Sequence, residues 1–410
     1  MINNVLLLAR ISNGNINSKP ETYTIWDSYR EALQALIKNF YYYDYYDIYF
    51  SRGKQGFENF IEEIIKKNRI KYLFIGFAAE DYTFDLKFLV YLKHKYFLCI
   101  IHTTQDPETF FEPRDRYYDQ IADYVLPFTF IPNGSIYNNY DIDTITLYGL
   151  YNKKLFQNQN LQKTIDVTFI GNVNKANRKT FLDFLVNKGI KVEVYGPGSK
   201  NGTISHKKMI EIINKSKINL NFTDSAYSTY FDYNTNTNFT IGTKINARIQ
   251  QAKGRLIEIY LCKSFCLSQE GYGTRSLIND DRIIFADQED LVNKIKLYLK
   301  NDKLREQITK ELYDKSLEYD AINKFKTILP KLEYKSKFIS NIYLDEVFIK
   351  NYASYRFLYL FNFLYKLKFK LAFNEFKVVL KYKKIDFNTI FYHFKMQTIY
   401  AYRRYRRISK

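Results

Sequence analysis

Ile165-Asp-Val-Thr-Phe-Ile170 runs directly into Gly171-Asn-Val-Asn-Lys175-Ala-Asn-Arg178, and an amphipathic stretch follows over 177–188. A short apolar run, a glycine at its end and a helix start together make the βα unit of a parallel sheet covered by helices. The same alternation spreads outward from this unit. Downstream, strand patterns at 191–195, 217–222, 264–267 and 282–285 alternate with helical ones at 206–214, 253–261 and 288–300. Upstream, strand patterns at 4–9, 71–75, 96–101 and 123–126 alternate with helical ones at 27–39, 56–67, 85–94 and 113–120. The polar stretch 152–163 separates the two series. The expected fold is α/β, with two Rossmann-like parallel-sheet domains over 1–150 and 151–334. Open sheets of this kind bind ligands beyond the carboxyl ends of their strands, so the residues after each strand carry the functional signal. The runs 41–46 and 234–240 read as local compositional bias.

Length and charge agree with this division. The chain has 410 residues, 46% hydrophobic, and carries 62 Lys or Arg against 43 Asp or Glu. That is enough for two cores and too apolar for wholesale disorder. Three cysteines at irregular spacing and four scattered histidines argue against a disulfide framework and a structural zinc site, and fit a reducing cytoplasm. The apolar run Val5–Ala9 is too short for a signal segment and reads as a first strand. No stretch approaches a membrane span; the nearest, 357–365, is broken by Asn362. The excess charge is concentrated: residues 335–410 hold 17 basic and 4 acidic residues together with 21 Phe or Tyr. This basic, aromatic helical extension suits an anionic membrane surface. It equally suits a helical subdomain whose aromatics form a core and whose lysines are solvated. No nucleic-acid-binding pattern accompanies the charge, which makes a nucleic-acid partner unlikely.

Gly171, with Arg178 close behind, suits a phosphate held by backbone N–H groups and a counter-charge; a single glycine also serves turn geometry alone. Tyr195-Gly196-Pro197-Gly198 reads mainly as a tight turn. The strongest segment is Gln250-Gln-Ala-Lys253-Gly254-Arg255-Leu-Ile-Glu258-Ile. Two cations and a glycine at a helix start suit a diphosphate, and Glu258 one turn inside suits the vicinal hydroxyls of a ribose. The competing reading is an Arg255–Glu258 surface pair across one helical turn. The apolar neighbours of Glu258 favour the first. Cys262 and Cys266 read as packing residues, and His94 and His206 as surface residues.

Lys253-Gly-Arg-Leu-Ile-Glu258 with Cys262-Lys-Ser-Phe-Cys-Leu-Ser resembles the signature of GT-B "group 1" glycosyltransferases, in the branch that includes spore-maturation-like proteins. Val167-Thr-Phe-Ile-Gly171 with Arg178, Val194-Tyr-Gly196, Ile218-Asn-Leu-Asn-Phe-Thr-Asp-Ser225 and Arg282–Leu291 look like successive strand ends of that family. The likeness covers 165–320 well, is looser in the first half, and stops before the tail.

The resemblance implies a GT-B fold with a nucleotide-sugar donor on the second domain and a glycan, lipid-linked or protein acceptor on the first. The implied donor-binding residues are Gly171, Arg178, Gly196, Ser225, Gln250, Lys253, Gly254, Arg255 and Glu258. Related retaining enzymes hold the donor with a Glu-x7-Glu pair. Glu258 matches its second member, while Gln250 stands where the first would be. His102 matches a histidine that relatives place beside the donor sugar, and with Asp106 it is the catalytic candidate. No metal and no cofactor are expected; Asp141-Ile-Asp143 reads as a chance Asp-x-Asp.

Overall fold

The computed structural model describes residues 2–10, 24–77, 81–105, 110–128, 143–147, 149–226, 229–231, 243–245, 249–250, 254–382 and 385–408. Its first half is built from β1 (Val5–Ala9), α1 (Ile25–Leu36), β2 (Phe40–Asp44), α2 (Tyr45–Asn68, kinked at Gly53), β3 (Tyr72–Gly76), α3 (Leu86–Tyr96) and β4 (Cys99–Gln105). A π-helical turn, Phe111–Asp115, then runs into α4 (Arg116–Asp119), and β5 (Tyr124–Phe128) completes a parallel sheet of order β2-β1-β3-β4-β5. Every residue of β1 and β3 is buried, as expected of central strands covered on both faces. The Tyr-rich run that reads as compositional bias is in fact edge strand β2, in register with β1 from Val5↔Phe40 to Ala9↔Asp44. Its side chains are half-buried, so it lacks the apolar run that marks an interior strand.

The second half holds β6 (Ile165–Ile170), α5 (Arg178–Asn187), β7 (Val192–Tyr195), α6 (His206–Lys215) and β8 (Ser216–Asn221). Four short strands follow: β9 (Asp224–Ala226), β10 (Thr229–Phe231), β11 (Thr243–Ile245) and β12 (Ile249–Gln250). Then come α7 (Arg255–Leu261), β13 (Cys266–Gln269), α8 (Tyr272–Leu277), β14 (Ile284–Phe285), α9 (Gln288–Lys300) and α10 (Asp302–Ser316). The main sheet is again parallel, in the order β14-β13-β8-β6-β7.

The chain then returns to the first sheet. α11 (Ala321–Ile328) lies on α1, with Phe325 edge-on to Tyr29 at 5.2 Å, and Ala321, Phe325 and Ile328 join the core of Val5, Leu7 and Phe74. The segment beyond it is strapped down by the first domain. Phe338 stacks on His94 at 4.6 Å, whose Nε2 accepts from the Ile339 N–H, and the Lys337 N–H donates to Asp123. His94 is therefore a docking residue rather than a surface one.

Three helices end the chain: α12 (Glu346–Tyr365), α13 (Phe369–Leu380) and α14 (Phe387–Ile408). α12 is buried nearly all round, and Phe348, Tyr352, Tyr359 and Phe363 share one core with Leu6, Leu8, Tyr49 and Phe57. Its centre is Arg356, wholly buried. The guanidinium donates to Tyr49 Oη at 2.6 Å and to the carbonyls of Tyr82 and Thr83, and lies 4.0 Å from Glu375 of α13. Tyr49 Oη in turn donates to Glu375 at 2.6 Å. A cation at that depth survives because its hydrogen bonds and a carboxylate compensate for lost water.

Two outcomes follow for stability. Arg356→Met strands Glu375 in an apolar site and should cost about 3–5 kcal/mol, while Arg356→Met with Glu375→Met should regain most of it. Trp26, the one tryptophan, is buried in the first domain and reports the unfolding by fluorescence. On α14, burial lowers the pKa of His393 from 6.5 to about 4. Its neutral form stabilises the fold fully above pH 6.5, and that contribution is lost as pH falls from 6.5 towards 4. The fall in melting temperature across this window should be shallower in His393→Gln.

Candidate functional site at the strand ends of the second sheet

The carboxyl ends of β6, β7, β8 and β13 meet at one edge, and the sequence there fixes an unusually close approach of backbone. Gly196 has φ +119°, and a Cβ on it would stand 2.2 Å from the carbonyl oxygen of Gly171. The Gly171 N–H donates to Tyr195 O at 2.9 Å and the Val173 N–H to Pro197 O at 3.0 Å, so the loops after β6 and β7 are knitted together. Gly196 is thus a packing requirement as well as a turn residue.

Arg178 opens α5 beside these loops and is only 6% exposed. It donates to the carbonyls of Asn172 at 3.1 Å and Asp224 at 3.4 Å, while its Nε has no hydrogen-bond partner. No carboxylate among the described residues pairs with it within 4 Å. Burial lowers its pKa, against the opposing pull of Asp224. A guanidinium hydrogen-bonded to carbonyls and not ion-paired at close range keeps donor capacity that suits a phosphate.

Asp224 and Gln269 form a buried pair that the sequence reading did not single out. Gln269 Nε2 donates to Asp224 Oδ2 at 3.0 Å, and its Oε1 accepts from the N–H groups of Thr223 at 3.2 Å and Asp224 at 3.3 Å. Asn219, Asn221, Thr223 and Ser268 are also buried. The alternation Asn-Leu-Asn-Phe-Thr after Ile218 was the available signal, since it puts a polar face inside a sheet. β9 then pairs antiparallel with β12, Gln250 opposite Asp224, so the backbone of Ser225 and Gln250 is brought beside Arg178. Lys253 lies outside the described residues.

α7 places Gly254 against Tyr151, whose ring is 3.0 Å from where a Cβ would be. Arg255 and Glu258 pair at 2.7 Å, with side chains 25% and 18% exposed. The apolar residues of α7 around them are buried. His206, at the start of α6, packs edge-on to Phe156 at 5.2 Å. Its pKa is lowered to about 4, by burial first and then by Arg255, against the pull of Asp27 on α1. It therefore sits where the two halves meet, a correction to the surface reading.

His102 is elsewhere. The reading that ends its strand at 101 is too short: β4 continues through Thr103 and Thr104 to Gln105, so His102 is an interior strand residue, 1% exposed. Its Nδ1 is 2.6 Å from Asp119 Oδ1, its ring lies against Phe77, and its Nε2 is buried without a hydrogen-bond partner. Burial holds its pKa down, at about 4. Asp106 lies outside the described residues. Cys262 and Cys266 are buried thiols, as expected of packing residues. Among the described residues no cluster of three or more His, Cys, Asp or Glu is placed to hold a metal. A cavity of about 380 Å³ lined by Lys163, Lys217 and Arg305 lies at the amino ends of β6 and β8, on the opposite edge from Arg178.

Comparison with known proteins agrees with this fold. Residues 178–329 match the family model described as glycosyl transferase-like. The fold resembles a glycosyltransferase from Rickettsia africae at 14% identity, over 80% of this chain and 97% of that one, with a TM-score of 0.51. It also resembles HepE of Anabaena, solved with UDP, at 11% identity over 80% and 100% of the two chains, with a TM-score of 0.51. A third likeness is sucrose-phosphate synthase of Thermosynechococcus elongatus, at 12% identity over 80% and 98%, with a TM-score of 0.50. No protein of curated function matches the chain in sequence. The chain has the GT-B fold, and its segment 178–329 matches the glycosyl transferase-like family model.

The close approach at the strand ends has a direct test. Gly196→Ala should destabilise by more than the roughly 1–2 kcal/mol of left-handed strain alone, because Cβ meets a carbonyl. Gly189→Ala, at φ +77° with open space around it, incurs the strain only. Calorimetry should show the larger drop in melting temperature for Gly196→Ala.

Proposed function

We propose that the protein is a glycosyltransferase that moves a hexose from a nucleoside-diphosphate donor to a glycan, lipid-linked saccharide or protein acceptor in cell-surface glycan assembly. Within that group we place it in the spore-maturation-like branch, on the motifs quoted above. The observation that carries the reading is Arg178, buried at the glycine-lined strand ends with no described carboxylate within ion-pair distance. In this reading Arg178, Lys253 and Arg255 receive the diphosphate, and their positive charge stabilises it as a leaving group without a metal. Gly171 and Gly196 admit it to the backbone, Ser225 and Gln250 are assigned to its sugar, and Gly254 and Glu258 to the ribose end. Transfer is retaining: the anomeric C–O bond to phosphate breaks, the acceptor oxygen bonds to the same face, and its proton passes to the departing phosphate oxygen. The proposed setting is the cytoplasm at the inner face of the membrane. Among the described residues no helix is long and apolar enough to cross one.

A silent GT-B scaffold is the second reading, favoured by Gln250 in place of a carboxylate. Donor hydrolysis, even slow, separates it from the first.

The test is thermal unfolding with UDP, GDP, ADP, CDP and dTDP. UDP comes first because HepE was solved with it. At about 100-fold excess over its dissociation constant, the right nucleotide should stabilise the wild type by roughly 2.7 kcal/mol. Arg178→Gln and Glu258→Ala should lose most of that shift. No shift with any nucleotide, in a folded protein, overturns the donor-site reading.

A further inference from the structure

α13 divides its residues between two opposed faces. Ala372, Glu375 and Val379 are buried toward the first domain. Phe369, Phe373, Phe376 and Leu380, spaced i, i+4, i+7 and i+11, form a stripe along the outer face and are 63, 57, 42 and 65% exposed. α14 repeats the pattern, with His393 and Gln397 buried and Phe387, Phe391 and Phe394 exposed at 81, 67 and 45%. Leu367, in the turn before α13, is 74% exposed. Single exposed aromatics are ordinary surface residues, but four large apolar side chains in register along one helix, as on α13, form a face built to be covered.

Charge selects what covers it. Lys370, Lys377 and Lys381 are exposed beside the α13 stripe, and 335–410 holds 17 basic against 4 acidic residues. A second copy of the chain would press two strongly basic faces together. An anionic bilayer instead offers an apolar boundary for the rings and phosphates for the lysines, the arrangement of helices that lie in the interface plane. We propose that the outer stripe of α13 seats this protein on an anionic lipid surface. α12, buried in the first domain, makes the seat rigid with the rest of the molecule rather than a tethered tail. This inference stands apart from the donor-site reading, because nucleotide binding is measured without lipid.

The test is sedimentation of the full chain with vesicles of phosphatidylcholine alone or with a quarter phosphatidylglycerol. The wild type should bind the anionic vesicles at least about tenfold more tightly than the neutral ones, and lose binding at high salt. Phe369→Ser/Phe373→Ser should weaken anionic binding by about tenfold or more at a little-changed melting temperature, since both rings are more than half exposed. Val186→Ser, an exposed apolar residue on the second domain, should leave it unchanged. Lys370→Glu/Lys377→Glu/Lys381→Glu should remove the preference for anionic lipid. Equal binding to both vesicles, or undiminished binding of the Phe→Ser variant, overturns the proposal. So does a wild-type dimer that the Phe→Ser variant dissociates, or tight RNA binding that it abolishes; these would assign the face to a second copy or to nucleic acid.

Discussion

Two backbone hydrogen bonds tie together the two points at which the chain passes between the sheets. Where the chain leaves the first domain, the Tyr151 N–H donates to Tyr319 O at 3.0 Å. Where it comes back, the Ala321 N–H donates to Tyr151 O at 2.7 Å. The outgoing and returning strands of chain thus cross side by side, and Tyr151 is also the residue against which Gly254 packs. The start of α7, the seat of α11 on α1 and the whole placement of the tail depend on that crossing. A cleft flanked by domains joined twice can open about one narrow neck while each sheet stays intact.

The second sheet was the more legible half of the sequence, for a physical reason. Its helices and strands alternate with clean punctuation, and β6 and α9 fall at the residues their patterns indicate. The first sheet hides two elements. β2 is an edge strand of half-buried tyrosines, without the continuous apolar run of an interior strand. α2 begins eleven residues before its pattern does, because Gly53 kinks it and Gly56 reads as a start. β4 outran its apolar core because Thr103 and Thr104 are good strand formers that an apolar count overlooks.

Within the site, legibility followed charge and glycine. Gly171, Gly196 and Arg178 stood out in sequence, and the structure does bring them to one edge. The Asp224–Gln269 pair did not stand out, because an Asp and a Gln 45 residues apart announce nothing until a sheet joins them. His102 shows the converse. Its residue type and approximate position suggested chemistry, yet its side chain is enclosed with Asp119 and Phe77 in the first domain. Because β4 runs on to Gln105, His102 is held within the sheet rather than in the loop beyond it. The candidate site therefore rests more on cations and backbone than on a buried imidazole.

The tail was the least legible part, because one composition serves two opposite physical roles. Arginine and aromatic rings are what an interior salt-bridged core and a lipid-facing helix have in common. Sequence counts cannot separate them; helical phase can. On α12 the aromatics and Arg356 point into the first domain, where Tyr49 and Glu375 meet them. One turn of chain later, on α13, Glu375 faces inward while Phe373 and Phe376 face water. Residues two positions apart on a helix differ by about 200° in direction, so Phe373 and Glu375 divide the inside from the outside of the molecule. Among the described residues the tail's lysines accordingly stay at the surface with the rings, and its one wholly buried cation is the one given a carboxylate.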